Sequence, residues 1–366
     1  MISKKILLIY NPWRPFKGSL HEVLLNGLKS VGFEVDYLDI ENIPQFSNNY
    51  LPDKLRNIYE RKINQNNDYI LVAENKFHNR YFLKQLQKIK QNDKKYDLVL
   101  IIKPEEYTSK FIKDASVLGK QVVGYIWDGL RLFLKPNIQK SRKYLNDLYS
   151  FDINNIRDLS ELKMKFLTNY YIPDDTLLPF EERKTDVFYI GSLAGTLDSQ
   201  RRDWKLNQLA RYLHGNIDIN IHISQDFLEK DKKMLTNSSK VKYTTQYLSL
   251  FDNLEKTKNA KIVIDICKNH HVGLSFRFFE CLNYEVKLIT NNKDVTNYDF
   301  YHPDNILVVD FDKIDCFGEA IKTFQTKPYQ HLPIKLKEKY SLKNWMNFIL
   351  KTEDFSTYTH PKLHLN

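Results

Sequence analysis

The chain of 366 residues carries 55 Lys and Arg against 45 Asp and Glu, so its formal net charge is +10 at neutral pH. With 42% hydrophobic residues it is long enough for two globular domains, each with its own core. No stretch approaches the roughly 20 uninterrupted apolar residues of a membrane helix, and we expect no signal peptide. Cys267, Cys281 and Cys316 match no zinc or thioredoxin spacing, which predicts a reducing cytoplasm, no disulfide and no metal site.

The excess of positive charge favours anionic partners, which leaves nucleotide phosphates, a phospholipid surface or a nucleic acid. The lysines are dispersed, and no zinc-finger, RRM-like or helix-turn-helix signature is present, so we expect no nucleic-acid partner. Most lysines are expected on solvated faces. A peripheral docking surface for an anionic membrane or a lipid phosphate is the alternative for the others.

In the first half, five segments rich in Val, Ile, Leu and Tyr are spaced widely enough for intervening helices. These predicted strands cover residues 5–10, 33–40, 68–74, 97–103 and 121–128. Near-continuous apolar runs of this kind are typical of parallel strands that are buried on both faces. The first half is therefore predicted to be an α/β domain with a parallel sheet.

Periodicity is lost over residues 169–186, where two prolines and several charges indicate a linker. The predicted strands of the second half cover 187–192, 217–224, 241–245, 261–267, 286–292 and 305–310. We therefore predict an α/β chain of two Rossmann-like domains, over 1–170 and 171–340, that face a cleft at the carboxyl ends of their sheets. A helix within 341–366 is expected to cross back to the first domain.

The segment HVGLSFRFFECLNYEVKLITNN, residues 271–292, predicts a helix that begins near Ser275 and leads into a buried strand. Arg277 and Glu280 share one face of that helix, and an i, i+3 ion pair is one interpretation. Arginine in the first turn opposes the helix dipole, however, and a bound anion would remove that conflict. In the second interpretation, Arg277 binds a diphosphate at the helix N-terminus and Glu280 accepts hydrogen bonds from two ribose hydroxyls.

The runs FRFFECLNYEVKLITNN and YDFYHPDNILVVD resemble the donor-binding half of bacterial GT-B glycosyltransferases of lipopolysaccharide and capsule assembly, most clearly over residues 187–350. In such enzymes a Glu in the helix before this strand binds the nucleotide ribose, and Glu280 occupies that place. Many retaining members carry a second Glu eight positions earlier, where this chain has Val272. The resemblance implies a nucleotide-sugar donor as substrate, no cofactor and no metal.

Further donor-site candidates are less specific. The turn YIGSLAGTLDSQRR offers Gly191, Ser192, Gly195 and Thr196 for close backbone approach and Arg201 and Arg202 for neutralising phosphate, or it is an ordinary strand-to-helix loop. It lacks the G-x-G-x-x-G pattern, which argues against a dinucleotide oxidoreductase. In HPDN, His302 either flanks the donor site or lies in an exposed turn.

The resemblance implies that the first domain binds the acceptor. The loop NPWRPFKGSLHE carries the candidate ligands Trp13, Arg14, Lys17 and His21. Tryptophan stacks on sugar faces and arginine binds phosphate or carboxylate, although the two prolines also fit a merely rigid loop.

An inverting transfer needs a general base, for which Asp128 at the end of a predicted strand is favoured. Glu74 and His21 are rivals for that role, and a helix cap is the alternative role of Asp128.

The expected function is transfer of a sugar from a nucleotide-sugar donor to a bacterial surface glycan, through a glycan or lipid-linked acceptor. The expected location is the cytoplasm, with peripheral contact at the inner face of the membrane. Two alternatives stay open: a nucleotide-sugar epimerase of the same architecture, and a non-catalytic protein that binds nucleotide or lipid.

Overall fold

The computed structural model describes residues 4–11, 19–38, 43–47, 51–64, 68–127, 129–130, 134–174, 176–193, 201–231, 235, 239–267, 272–352, 355–358 and 360, with the backbone alone at 51–53, 230 and 231. The chain divides into two compact units, Met1–Thr168 (unit 1) and Asn169–Asn366 (unit 2). Within the described residues, no helix is long and apolar enough to span a membrane. The same residues contain no group of three or more His, Cys, Asp or Glu side chains that could hold a metal ion.

Unit 1 is built on a parallel sheet in the order β2-β1-β3-β4-β5-β6. Its strands are β1 (Lys5–Ile9), β2 (Glu34–Tyr37), β3 (Tyr96–Ile102), β4 (Gly119–Ile126), β5 (Asp147–Ser150) and β6 (Lys165–Phe166). Its helices are α1 (Leu20–Ser30), α2 (Leu51–Lys62), α3 (Tyr69–Gln91), α4 (Ser109–Ser116), α5 (Lys135–Ser141) and α6 (Ile153–Asp158). The apolar runs of β1 and β3 are buried because both are interior strands of the sheet.

The strand predicted over 68–74 is wrong, because these residues form the start of α3. The apolar run that opens α3 is short, and the positions buried further along follow helical spacing: Asn75, His78, Asn79, Phe82 and Leu86. The amides of Asn75 and Asn79 also donate to the carbonyl of Glu106, at 2.7 and 2.9 Å, which fixes the helix against the end of β3.

Unit 2 contains a second parallel sheet, in the order β12-β11-β10-β7-β8-β9. Its strands are β7 (Thr185–Ser192), β8 (Ile217–His222), β9 (Val241–Thr244), β10 (Ala260–Asp265), β11 (Lys287–Thr290) and β12 (Ile306–Val308). Its helices are α7 (Arg202–Ala210), α8 (Gln225–Asp231), α9 (Leu250–Lys258), α10 (Phe276–Tyr284), α11 (Gly318–Thr326), α12 (Ile334–Glu338) and α13 (Leu342–Leu350). The direction of strand progression reverses between β7 and β10, and ligands bind at such a switch point in open α/β sheets.

Helix α13 packs against the first residues of unit 2. Trp345 is fully buried, with its ring centroid 4.7 Å from that of Tyr170, and Tyr171 forms a backbone bridge with Ser341. The predicted helix is thus present. Its expected crossing to the first domain stays a prediction.

Ser341→Ala should lower the free energy of unfolding by about 1 kcal/mol, because the Ser341 hydroxyl accepts a hydrogen bond from the Asn344 N–H at the start of α13. Urea unfolding followed by tryptophan fluorescence measures the change. Ser19→Ala is the matched control: Ser19 is also a buried N-cap serine, but its side chain makes no capping bond to α1. Equal losses in the two variants would contradict a capping role for Ser341.

Candidate functional site

The carboxyl ends of β7 and β10 lie side by side at the switch point of unit 2. The register pairs Val263 with Phe188, so Asp265, the last residue of β10, is level with Ile190 of β7. Asp265 is buried, and its carboxylate accepts hydrogen bonds from the hydroxyls of Ser275 at 2.9 Å and Thr290 at 3.4 Å. A buried acid therefore organises this edge of the sheet.

Helix α10 starts directly above this edge. Ser275 is its N-cap residue, as predicted, but the hydroxyl bonds to Asp265 and makes no capping bond to the helix. The segment that follows β11 holds the loop before α10, since the Asn292 amide donates to the carbonyls of Val272 and Gly273, each at 3.3 Å. The first turn of α10 is therefore held in place by neighbouring strands and not by its own cap.

Arg277 joins α10 to both strands. Its Nη2 donates to the Ile190 carbonyl at 2.9 Å, and its Nη1 lies 3.5 Å from the Asp265 carboxylate. The guanidinium carbon also lies 5.6 Å from the ring centroid of Tyr189. In the described part of the chain Arg277 makes no ion pair with Glu280, so the i, i+3 pair considered from the sequence is wrong. Because the side chain stays partly exposed, it can also bind an anion.

Glu280 lies one turn further along α10 and is half-buried. Burial raises the pKa of its carboxyl to about 7; the nearby Asp265 acts in the same direction and Arg277 opposes it. Among the described residues we find no hydrogen bond to its carboxylate. A carboxyl in this position changes charge near neutral pH and can accept hydrogen bonds from a ligand.

Strand β7 ends with Gly191 and Ser192, and the chain continues into residues 194–200, which lie outside the described part. A Cβ on Gly191 would lie 2.4 Å from the Tyr189 hydroxyl, so only glycine leaves room for that ring. Arg202 donates to the Ser192 carbonyl at 3.1 Å and brings a second guanidinium to the end of β7.

The side chain of Arg201 is engaged by other residues of unit 2. It is buried and forms an ion pair with Asp203, which also accepts a hydrogen bond from the Tyr243 hydroxyl at 2.9 Å. The predicted role of Arg201 in binding phosphate stays a prediction, and Arg202 is the arginine that reaches the end of β7.

His302 does not lie at the carboxyl end of the unit 2 sheet. It precedes β12, so it lies at the amino end of a strand parallel to β10, whereas Asp265 lies at the carboxyl end. Its Nδ1 accepts the Asp304 N–H at 3.2 Å and its carbonyl accepts the Ile306 N–H at 2.8 Å. His302 is half-buried and helps to shape this turn, and its predicted place beside the donor site stays a prediction.

Of the unit 1 candidates, His21 and Glu74 lie within the described residues, whereas Trp13, Arg14, Lys17 and Asp128 lie outside them. His21 is in the first turn of α1, at the carboxyl edge of the sheet, against the rings of Tyr10 and Tyr37. Burial lowers the pKa of its imidazole to about 4, so the ring is neutral at neutral pH. Glu74 is half-buried on α3 and does not end a strand, which removes the reason for choosing it as a base.

Several residues at these edges were missed from the sequence. Asp265 and Asn292 of unit 2 are examples, as are Lys103 and Glu106 of unit 1, which form a buried ion pair of 2.7 Å after β3. All four lie within three residues of the carboxyl end of a predicted strand, where polar residues close to the end of an apolar run could have indicated them.

A separate cavity of about 780 Å³ lies elsewhere in unit 2, beside α12 and α13. Its walls include Tyr171, Asn283, Lys337 and Lys343, but not Asp265, Arg277 or Glu280. The chemistry of the switch point, and not this cavity, therefore defines the candidate site.

No protein-family model matches the chain, and no curated protein matches it significantly. Among solved structures, an alpha-glucosyltransferase in complex with UDP and a 13-mer DNA containing an HMU base superposes with a TM-score of 0.56 at 12% identity, over 97% of this chain and 96% of the other. HepE from Anabaena in complex with UDP-glucose gives a TM-score of 0.51 at 10% identity, over 96% and 99%. A Listeria monocytogenes structure described as a UDP-N-acetylglucosamine 2-epimerase gives 0.50 at 9%, over 98% and 100%.

Matches at such low identity establish the fold alone. They confirm the predicted α/β class: the chain has two Rossmann-like domains, each with its parallel sheet, and shares the GT-B fold with structures that contain UDP.

Proposed function

We propose that the chain is a glycosyltransferase that transfers a sugar from a nucleotide-sugar donor, and that unit 2 binds the donor. The observation that carries this proposal is the arrangement of Arg277 and Glu280 on one helix at the switch point between β7 and β10. Arg277 is anchored to both strands and is still partly exposed, while Glu280 has a carboxyl with no hydrogen bond among the described residues. The fold shared with UDP-containing structures supports the same assignment.

In the proposed complex, the diphosphate lies at the N-terminus of α10. Backbone N–H groups of the first turn and the Arg277 guanidinium provide positive potential there. The negative charge that develops on the leaving diphosphate is stabilised by the same groups, which is why we propose transfer without a metal or cofactor. Glu280 accepts hydrogen bonds from the two ribose hydroxyls.

The acceptor is proposed to bind to unit 1. Trp13, Arg14 and Lys17 are its proposed ligands, and Asp128, just after the carboxyl end of β4, is the proposed general base. A surface glycan or its lipid-linked precursor in the cytoplasm is the proposed acceptor, supported by the resemblance over residues 187–350. The stereochemistry of the transfer stays open because Val272 stands where many retaining enzymes carry a Glu.

An epimerase is the second candidate function, because the Listeria structure has the same fold over the whole chain. The two activities differ in whether they need an acceptor. A transferase releases nucleoside diphosphate or monophosphate only when acceptor is present, whereas an epimerase isomerises the sugar without acceptor.

The test begins with a thermal-shift screen of the full chain against UDP, GDP, CMP and dTDP and their sugars. We expect one nucleotide to raise the melting temperature, because a ligand that binds only the folded state stabilises it. Arg277→Ala should reduce this shift for a nucleoside diphosphate more than for the bare nucleoside. The nucleotide-sugar that binds is then incubated with and without lipid-linked glycan, and separately with DNA. Isomerisation without acceptor would establish the epimerase; binding without turnover would leave a nucleotide-binding protein.

A further inference from the structure

Helix α2 of unit 1 presents its apolar side to solvent. Four apolar side chains at or just after this helix are between 50% and 64% exposed: Leu55, Ile58, Tyr59 and Ile63. At 3.6 residues per turn they fall on one face. On the opposite face, the polar Asn57 and Glu60 are half-buried against the protein. This reverses the usual arrangement of a surface helix, in which the apolar face is buried.

The exposed apolar face has basic residues around it. Lys54, Arg56, Arg61 and Lys62 are all exposed. Within the described residues none of these four forms an ion pair. Exposed apolar side chains bordered by cations are typical of helices that lie in the plane of a membrane interface.

The charge of the chain is also concentrated in the same unit. Unit 1 contains 28 Lys and Arg against 19 Asp and Glu, whereas unit 2 contains 27 against 26. Thus unit 1 has a net charge of +9 and unit 2 of +1. On α3, one basic residue per turn adds an exposed row: Lys76, Arg80, Lys84 and Lys88. No ion pair involves this row in the part of the chain that the structure describes.

We propose that α2 docks unit 1 onto an anionic phospholipid surface. Leu55, Ile58 and Ile63, with Tyr59, enter the boundary between headgroups and acyl chains, and the surrounding Lys and Arg side chains contact lipid phosphates. This assignment follows from α2 and the charge of unit 1, and it does not depend on the proposed transfer reaction.

Other occupants fit the surface less well. A nucleic acid would bind the cations through its phosphates but would leave the Leu and Ile side chains without an apolar partner. A second copy of the chain would bring two units of charge +9 together, and like charges oppose such an association.

The experiment is flotation of the full chain with vesicles of phosphatidylcholine, alone or mixed with phosphatidylglycerol. We expect the chain to float with the mixed vesicles, and to be released as the salt concentration is raised. In Arg56→Gln/Arg61→Gln/Lys62→Gln, partition to the mixed vesicles should fall about 100-fold, because each basic residue contributes about fivefold.

A second variant tests the apolar face itself. Leu55→Ser/Ile58→Ser/Ile63→Ser should weaken partition by at least about tenfold at any salt concentration. Its control is Val117→Ser/Leu177→Ser/Ile334→Ser, which removes three apolar side chains of similar exposure, between 46% and 73%, that do not belong to α2. The control should float like the unchanged chain. Circular dichroism and urea midpoints check that both variants fold.

Four results would overturn the proposal. One is the absence of flotation with mixed vesicles, and another is an equal loss in the apolar variant and its control. The third is light scattering that shows a dimer which the apolar variant converts to a monomer, since the occupant would then be a second copy. Binding of a DNA duplex, but of neither kind of vesicle, would replace the lipid with nucleic acid.

Discussion

Asp128→Asn should lower the rate of sugar transfer by about 100-fold to 10,000-fold and leave nucleotide affinity unchanged. Asp128 follows β4, an interior strand of unit 1, and the carboxyl ends of such strands are where open α/β sheets bind their ligands. A carboxylate there can take the proton of the acceptor hydroxyl, whereas an amide of the same shape cannot. Single-turnover transfer and calorimetric titration of nucleotide measure the two quantities separately.

The rivals for the base serve as controls. His21→Ala removes an imidazole that burial keeps neutral, and Glu74→Gln changes a residue that lies on a helix. If Asp128→Asn retains full turnover while one of these variants abolishes it without loss of nucleotide affinity, the base is that rival and Asp128 caps a helix.

Glu280→Ala should weaken nucleotide binding by about 1.5 to 3 kcal/mol, the usual contribution of hydrogen bonds to a charged group. The free energy of nucleotide binding should also depend on pH, becoming more favourable as the pH rises. Burial raises the pKa of Glu280 to about 7, and ribose hydroxyls that donate to the carboxylate favour the ionised form. Affinity should therefore rise as the pH rises towards 7 and level off above it. Between pH 6 and pH 8 we expect about a tenfold increase.

A nucleotide-sugar is the ligand for this measurement, because its diphosphate does not itself titrate near neutral pH. Calorimetry below pH 7, in buffers of different ionisation enthalpy, should show release of a proton on binding. Glu280→Gln should bind with no pH dependence in this range. A dependence that persists in Glu280→Gln would show that another group titrates, and unchanged affinity in Glu280→Ala would remove Glu280 from the site.

The stability of the free protein should have the opposite pH dependence. The pKa of Glu280 is raised in the folded state, so the stabilising protonated form is fully present below the unfolded pKa of 4.5 and is lost as the pH rises through about 7. Glu280→Gln should lack this part of the pH dependence.

The second half of the fold was readily predicted because its strands are apolar runs bounded by turns. The start of α3 was misassigned, since its first apolar residues fit a buried strand and its helical period becomes clear only near Phe82 and Leu86. Strand β5, with Asp147 and Ser150 at its ends, is too short and polar to be recognised. Local propensity could not reveal either element because packing against the sheet decides them.

The candidate site was predictable only in part. The spacing of Arg277 and Glu280 placed both on one helix, and the conflict with the helix dipole indicated an unusual role for Arg277. Its contact with the Ile190 carbonyl joins residues 87 positions apart, and such a contact depends on strand order. The sequence shows which strands exist but not that β7 lies beside β10.

That strand order also affects how the protein is made. Val187 of β7 pairs with Ile262 of β10. On this side, β7 can therefore pair with its neighbour only after the ribosome has synthesised the chain between the two strands. Until then the edge of β7 is unpaired, and non-local pairing of this kind is slow and leaves a strand open to wrong partners. Because Arg277 and Glu280 are synthesised later still, a nascent unit 2 has no complete candidate site. Under the proposed function, nucleotide would therefore bind only the finished domain, and a high concentration of the donor would favour completed folding over its intermediates.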